Sequence, residues 1–198
     1  MAIFEFNLPK NISKALGLKL KNPRGAQLRV LKKLLKRARY TAFGQKNKFD
    51  EILTSKHIGK KFQEIVPTYN YNKIYKEWWH LTLEGQSDIC WPGKINYFAL
   101  SSGTSEAASK YIPITNDLLR GNKIVMIKQL ISFLKYREIP LSAMGRGWLT
   151  LGGSTDLQKG AGYYAGDLSG ITAKKSPFWF QPFYKPGKKI AKERDWNK

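Results

Sequence analysis

Hydroxyl side chains are concentrated in one short segment, ALSSGTSEAASKYIP, at positions 99–113. The segment also contains a glycine, which lets a ligand approach the backbone closely, and a lysine, which supplies positive charge. Phosphate binding requires convergent N–H and O–H donors together with compensation of the negative charge. The candidate anion-binding residues are Ser101, Ser102, Gly103, Thr104, Ser105 and Lys110.

The spacing of this segment excludes the Walker A phosphate loop. That motif has a second glycine directly before its lysine and leads into a helix, whereas here no glycine stands between Gly103 and Lys110. The apolar runs Ile95–Leu100 and Tyr111–Ile114 predict a strand on each side, the first after the turn signal Pro92-Gly93. The segment therefore connects two strands. Composition alone leaves open whether it is an anion-binding loop or an ordinary polar hairpin.

Other residues that are able to do chemistry are isolated. His57 and His80 are too few and too far apart in sequence to indicate a metal site. Asp156 and Asp167 are single carboxylates in glycine-rich segments, where turn formation explains them better than acid–base catalysis. We therefore predict no protein metal site.

The composition predicts a folded, strongly basic domain. The 198 residues are 42% apolar and 13% aromatic, and 35 Lys and Arg against 14 Asp and Glu give a net charge of +21, which favours anionic partners. Cys90 is the single cysteine, so an intramolecular disulfide is excluded and a reducing compartment is favoured. We find neither a signal peptide nor a run of roughly 18 apolar residues, and we predict a cytoplasmic protein.

Three helices are predicted from periodicity and capping signals. The first helix has Asn22 as its N-cap and Pro23 as its first residue, and it ends near Gly44. Its leucines lie on one side. Its other side is interpreted as a solvated basic face, formed by Arg29, Lys32, Lys33, Lys36, Arg37 and Arg39. The second runs from about Asn72 to Leu83. The third is capped by Thr115, runs to about Tyr136 and is expected to be buried on more than one side. The final residues, KKIAKERDWNK, read as the start of another helix.

The motifs, taken together, resemble a known family. Ser-Ser-Gly-Thr-Ser followed by Lys-Tyr-Ile-Pro resembles the nucleotide-binding motif of the auxin-responsive promoter family of acyl acid-amido synthetases, which belong to the adenylate-forming enzymes. LKKLLKRARYTAFGQKNKF, at positions 31–49, is similar to the N-terminal helix of that family. LTLGGST, GDLSGI and PFWFQPF follow in the order found in its bacterial branch. The resemblance extends from about Gly25 to the end of the chain.

The resemblance implies an α/β fold with mixed β-sheets flanked by helices, as the incomplete large N-terminal domain of such an enzyme. It implies that ATP, with Mg²⁺, and a carboxylic acid give an acyl-adenylate and pyrophosphate, after which an amino acid amine displaces AMP. By matching positions, Ser101, Ser102, Gly103, Thr104, Ser105 and Lys110 would contact the ATP phosphates. Gly152, Gly153 and Ser154, which follow a predicted strand over Trp148–Leu151, would line the acyl pocket or form a bare turn.

Two further nucleotide-binding segments of the family, Ser-Ser-Glu and Tyr-Arg-x-Gly-Asp, do not occur in the sequence. Residues 1–198 are therefore expected to be a partial N-terminal domain, with the C-terminal domain absent and the fragment alone inactive. The competing hypotheses are a basic nucleic-acid-binding module without enzymatic activity and a membrane-surface protein. The basic residues are spread along the chain without a dense block, so we predict neither a nucleic-acid nor a membrane partner.

Overall fold

A computed structural model describes residues 22–101, 110–135, 148–149, 152–176, 184–185, 187 and 189–193. The chain divides into two compact units, Met1–Tyr69 and Asn70–Lys198. The first unit is helical in its described part, and the second combines helices with a four-stranded mixed sheet. The predicted α/β class, with a mixed sheet flanked by helices, is confirmed.

The first unit contains four helices in its described part. They are α1 (Pro23–Ala38), α2 (Ala42–Lys46), α3 (Phe49–Thr54) and α4 (Ile58–Ile65). Asn22 caps α1 by accepting a hydrogen bond from the Gly25 N–H, and Pro23 begins the helix as predicted. Leu35 and Ile52 are buried where α1 packs against α3.

The prediction that α1 continues to Gly44 was wrong. The helix ends at Ala38, and a new helix begins at Ala42 with Thr41 as its N-cap. The buried Thr41 hydroxyl donates to the Ala38 carbonyl at 2.7 Å and accepts from the Gly44 N–H at 3.1 Å. Gly44 permits this turn, because a Cβ there would lie 3.0 Å from the Ala38 carbonyl carbon and closer still to its oxygen. A side-chain cap thus replaces the backbone hydrogen bonds of a continuous helix.

The second unit begins with one continuous helical run and then alternates strands with helices. Its described elements are α5 (Tyr71–Ile74), a π-helical turn (Tyr75–Trp79), α6 (His80–Leu83), β1 (Tyr97–Leu100), β2 (Tyr111–Ile114), α7 (Asn116–Lys135), β3 (Trp148–Leu149), β4 (Gln158–Lys159), β5 (Tyr164–Gly166), α8 (Leu168–Lys174), β6 (Tyr184–Lys185) and a 3₁₀ turn (Ile190–Lys192). The predicted helix from Asn72 to Leu83 is confirmed, and Gly85 ends it at φ 94° in a Schellman turn, with the Gln86 N–H bound to the Leu81 carbonyl.

The main sheet has the strand order β2-β1-β5-β4. β1 is antiparallel to β2 and parallel to β5, and β4 is antiparallel to β5. Successive residues of β1 face opposite sides: Phe98 packs with Ile95 and Ala165 on one face, whereas Ala99 packs on the other. The second cluster contains Ala99, Ile114, Leu119, Leu157 and Ile171, of which Ile171 belongs to α8. β3 and β6 form a separate parallel pair.

The long helix α7 is less buried than its sequence predicts. Thr115 caps it as expected, accepting from the Leu118 N–H at 3.0 Å. Of its described side chains, Leu119 is buried, whereas Leu118, Ile124 and Ile127 are exposed. The expectation of more than one buried side is therefore wrong for these residues, because the sheet core takes in only Leu119 from the described part of the helix.

A further expectation differs from the structure, and another is confirmed where the structure describes it. The final residues form a 3₁₀ turn over Ile190–Lys192, and Glu193 is extended, so the predicted helix start is a single turn within the described residues. The predicted strand over Trp148–Leu151 is present at Trp148–Leu149, and residues 150–151 lie outside the described part. Among the residues that the structure describes, no helix combines the length and apolarity needed to cross a membrane.

Candidate functional site

The hydroxyl-rich segment closes a β-hairpin. β1 ends at Leu100 and β2 begins at Tyr111, and these two residues are opposite each other in the antiparallel register. The Ser101 N–H donates to the Lys110 carbonyl at 3.2 Å, which extends the ladder by one further pair. The prediction that the segment connects two strands is confirmed. Ser101 and Lys110 thus stand side by side at the base of the loop, whereas Ser102, Gly103, Thr104 and Ser105 lie outside the described residues.

A tyrosine from a distant helix fixes this base. The Tyr111 N–H donates to the Tyr71 hydroxyl at 2.9 Å, and the same hydroxyl donates to the Tyr111 carbonyl over 3.5 Å. Tyr71 is the first residue of α5, which Asn70 caps by accepting from the Lys73 N–H at 2.8 Å. The Tyr71 hydroxyl therefore satisfies backbone groups on the side of β2 that faces away from β1. Sequence reasoning missed Tyr71, and no local signal links it to a strand forty residues later.

The same tyrosine orients the lysine of the loop. The Lys110 Nζ lies 5.3 Å from the centroid of the Tyr71 ring, within the range of a cation–π interaction. Lys110 is exposed, so its ammonium group remains available to a ligand in solvent. Burial raises the pKa of the Tyr71 hydroxyl, and burial likewise raises the pKa of Tyr163 in the adjoining ring cluster. Both phenols are neutral at pH 7, so neither compensates the positive charge of Lys110.

Gly152, Gly153 and Ser154 form a turn whose polar groups have partners within the chain. The Gly153 N–H donates to the Ser169 hydroxyl at 2.8 Å. The Ser154 hydroxyl donates to the Lys192 carbonyl at 2.8 Å and accepts from the Asp156 N–H at 3.1 Å. This turn is therefore held between α8 and the 3₁₀ turn. Its contacts are those of a structural turn, and an acyl-binding role for these residues stays a prediction.

The sheet topology brings this turn and the base of the hairpin loop to the carboxyl end of the parallel strands. β1 and β5 are parallel, with Ala99 opposite Gly166, so their carboxyl ends point the same way. Asp167 follows β5 directly, and a Cβ at Gly153 would overlap its carboxylate. Ser101 therefore follows one strand of the parallel pair, and Asp167, which lies against the Gly153 turn, follows the other. The carboxyl ends of parallel strands are where open α/β sheets bind ligands.

Asp167 has a different local role from the one expected. Its backbone is extended at the N-cap position of α8, but its side chain makes no capping hydrogen bond. Its carboxylate is exposed at the carboxyl end of β5, on the side of the sheet where β1 ends at Leu100. One carboxylate of this kind is able to supply one ligand of a Mg²⁺ ion that is otherwise held by phosphate and water. Within the described ranges, no group of three or more His, Cys, Asp or Glu residues is placed to hold a metal ion.

Comparison with known families assigns the chain. A family model described as the GH3 family N-terminal domain matches residues 13–198. The chain belongs to the GH3 family. This is the family of auxin-responsive acyl acid-amido synthetases, so the resemblance carried by the sequence motifs is confirmed. A search of curated proteins found no match.

A second feature of this GH3 domain is a cavity of about 200 Å³ beside the last residues of β2. Its lining is largely apolar and includes Trp79, Ile89, Cys90, Trp91 and Pro113. The Trp91 Nε1–H donates to the Asp117 carboxylate at 3.1 Å, which attaches the wall of the cavity to the first turn of α7. The cavity is smaller than most sites for drug-sized ligands. It places Cys90 in a partly buried, apolar setting.

The surroundings of Cys90 predict an unreactive thiol in this GH3 domain. Burial raises the pKa of the Cys90 thiol to about 12 from a usual value of 9.0. This difference in pKa makes the thiolate fraction at pH 8 roughly a thousandfold lower in the folded chain than in urea. The rate of alkylation by iodoacetamide should fall by the same factor, because the thiolate is the form that reacts. Folded and unfolded rates within tenfold of each other would contradict this, and a Cys90→Ser chain controls for other sites of alkylation. Because the folded pKa is the higher one, ionisation of Cys90 lowers the free energy of unfolding only as the pH rises from about 9 towards 12.

Proposed function

We propose that this chain is the ATP- and acyl-binding part of an ATP-dependent acyl acid-amido synthetase. The enzyme would adenylate a carboxylic acid and transfer the acyl group to the amine of an amino acid. The observation that supports the proposal best is the hairpin base, where Ser101 and Lys110 are hydrogen-bonded side by side and Tyr71 orients Lys110. Membership of the GH3 family supports the reaction class.

The hydrogen-bond donors and the positive charge at the hairpin base are suited to the phosphates of a nucleoside triphosphate. Lys110 carries a positive charge without an ion-pair partner among the described residues, and Ser101 adds a hydroxyl beside it. With Mg²⁺, bound ATP supplies the phosphoanhydride that activates the carboxylic acid. Lys110 would contact the phosphates as a point charge and stabilise the negative charge that develops on the departing pyrophosphate. Ser101, and Ser102 to Ser105 in the proposed cradle, would orient the phosphates by donating hydrogen bonds.

The sheet edge gives the two substrates a common location. Ser101 begins the hairpin loop at the carboxyl end of β1, and Asp167, at the carboxyl end of the parallel strand β5, lies against the turn of Gly152, Gly153 and Ser154. An acid held at this turn would lie at the same end of the parallel pair as the phosphates bound near Ser101 and Lys110. Asp167 would add one oxygen ligand to the Mg²⁺ ion. Holding two anions in this way lowers the entropic part of the barrier to adenylation.

The proposal is tested by separating nucleotide binding from turnover. We expect calorimetry to detect MgATP binding by the 198-residue chain, whereas acid-dependent exchange of labelled pyrophosphate into ATP should require a protein that also carries the C-terminal domain of the family. The control is MgAMP, which lacks the phosphates that the loop would hold and should bind more weakly. Absence of MgATP binding would overturn the proposed site, and exchange by the chain alone would overturn its role as a partial enzyme.

A further inference from the structure

The first unit contains a basic cavity that the proposed ligase function does not use. The N-terminal half of α1 and the segment that leads into α4 border an open concavity of about 450 Å³. The two helices approach closely at one point, because a Cβ at Gly59 would lie 3.1 Å from the Leu28 Cδ2 atom. Leu28, Ile58 and Gly59 form the apolar part of the lining. The remaining lining residues are Arg24, Arg29, Lys32, Lys56, His57 and Lys60.

The described residues supply this cavity with positive charge and no counter-charge. Residues 22–69 contain twelve Lys and Arg against three acidic residues, Asp50, Glu51 and Glu64. Two of these acids have partners elsewhere: Asp50 lies 3.7 Å from Arg39, and Glu51 lies 3.0 Å from Lys61. Among the described residues, none that lines the cavity is acidic, and none of its five Lys and Arg residues makes an ion pair. Five cations that face one concave space without a counter-charge repel one another until an anion binds.

The cavity also offers directional donors. Arg24 and Arg29 are able to bind phosphate oxygens through two parallel N–H bonds, and the three lysines add point charges. The first turn of α4 begins at the cavity with Ile58, Gly59 and Lys60, and the N-cap residue His57 makes no side-chain capping bond to it. The N–H groups of this turn are therefore able to supplement the side-chain donors. A site that combines two arginines with three lysines is better suited to bind several linked phosphates than to bind a single carboxylate.

We propose that this cavity binds a small anion with several linked phosphates, separately from the hairpin loop. A small ligand is favoured over a polymer because Lys56 and Lys60 come from a different segment than Arg24, Arg29 and Lys32, and all five line the same concavity. A phosphate chain of two or three units fits a cavity of this size. The ligand would bridge the N-terminal half of α1 and the start of α4 and would stabilise the first unit by mass action.

The probe is inorganic tripolyphosphate, titrated into the whole chain by calorimetry at physiological ionic strength. Lys56→Ala with Lys60→Ala should weaken its binding by about tenfold, through loss of two partly exposed charge contacts. The matched control is Lys33→Ala with Lys46→Ala, which removes the same charge from exposed positions outside the cavity and should change the affinity by less than about twofold. Lys56→Arg with Lys60→Arg keeps the charges and should retain binding, which separates charge from folding.

Three results would overturn the proposal. If the cavity and control variants lost the same affinity for tripolyphosphate, the lower net charge of the chain would explain the effect. Orthophosphate binding as tightly as tripolyphosphate would remove the need for linked phosphates. The third result is binding of duplex DNA, or of phosphatidylcholine–phosphatidylserine vesicles, that depends on Lys56 and Lys60. If tripolyphosphate did not displace that ligand, the cavity would be assigned to a nucleic acid or a membrane. A Lys110→Ala chain should keep its cavity affinity for tripolyphosphate whether or not the hairpin loop binds ATP, so the two proposals fail separately.

Discussion

Lys110→Ala should lower the affinity of the chain for MgATP by roughly ten- to a hundredfold, the range expected for losing a hydrogen bond to a charged group. Lys110 is the cation at the base of the proposed phosphate loop, and its Nζ lies 5.3 Å from the centroid of the Tyr71 ring. The ring reduces the number of conformations that the side chain adopts in the free protein. Less conformational entropy is then lost when the phosphates bind. Calorimetry with MgATP measures the loss.

Lys128→Ala shows whether position or charge causes this effect, and Tyr71→Phe, followed by urea unfolding, tests the support that the Tyr71 hydroxyl gives to β2. Lys128→Ala removes the same charge from an exposed position on α7 and should leave the MgATP affinity within about twofold. Tyr71→Phe keeps the ring beneath Lys110 but removes the hydroxyl that accepts from the Tyr111 N–H at 2.9 Å. It should lower the free energy of unfolding by about 1–3 kcal/mol because a strand N–H loses its partner. An equal drop in MgATP affinity for Lys110→Ala and Lys128→Ala would place the nucleotide elsewhere.

Gly170→Ala should destabilise the second unit by about 2–3 kcal/mol, as expected for overpacking of a buried position. Gly170 is buried in the first turn of α8. A Cβ there would lie 2.9 Å from the Ser154 carbonyl carbon and 3.0 Å from the Gly153 oxygen. These are backbone atoms of the candidate acyl-binding turn, so they cannot move aside as a flexible side chain does. The turn or α8 must shift, and the neighbouring Ile171, which is fully buried, limits movement of the helix.

The matched control for this variant lies in α7. Gly121 is also helical, but a Cβ there meets no atom within 4 Å. Gly121→Ala should therefore stabilise the chain by about 0.5–1 kcal/mol through its higher helix propensity. Urea unfolding measures the free energy of unfolding of both variants, and the comparison holds where its dependence on urea concentration is the same in each. If Gly170→Ala matched or exceeded the stability of the unsubstituted chain, the close approach of α8 to the Gly153–Ser154 turn would be wrong.

Much of the fold was predictable because its signals are local. The N-cap Asn22, the N-cap Thr115, the Schellman glycine Gly85 and the strands around the hairpin loop each depend on residues within a few positions of one another. The family was predictable for a related reason, since its motifs keep their order along the chain. The errors arose where a local pattern had two solutions. Leucine spacing allowed α1 to continue past Ala38, but the buried Thr41 hydroxyl capped a new helix instead.

By itself, the sequence determined the α/β class, the family, the hairpin that carries Ser101 and Lys110, and the caps that begin its main helices. Only the tertiary structure decided that Tyr71 supports Lys110, that the Gly153 turn meets Asp167 at the end of β5, and that Arg24 shares a cavity with Lys60. Turn chemistry and periodicity act over about one helical turn, so neighbouring residues encode them. Contacts between distant segments depend on which faces pack together, and the spacing of residues along the chain does not contain that information.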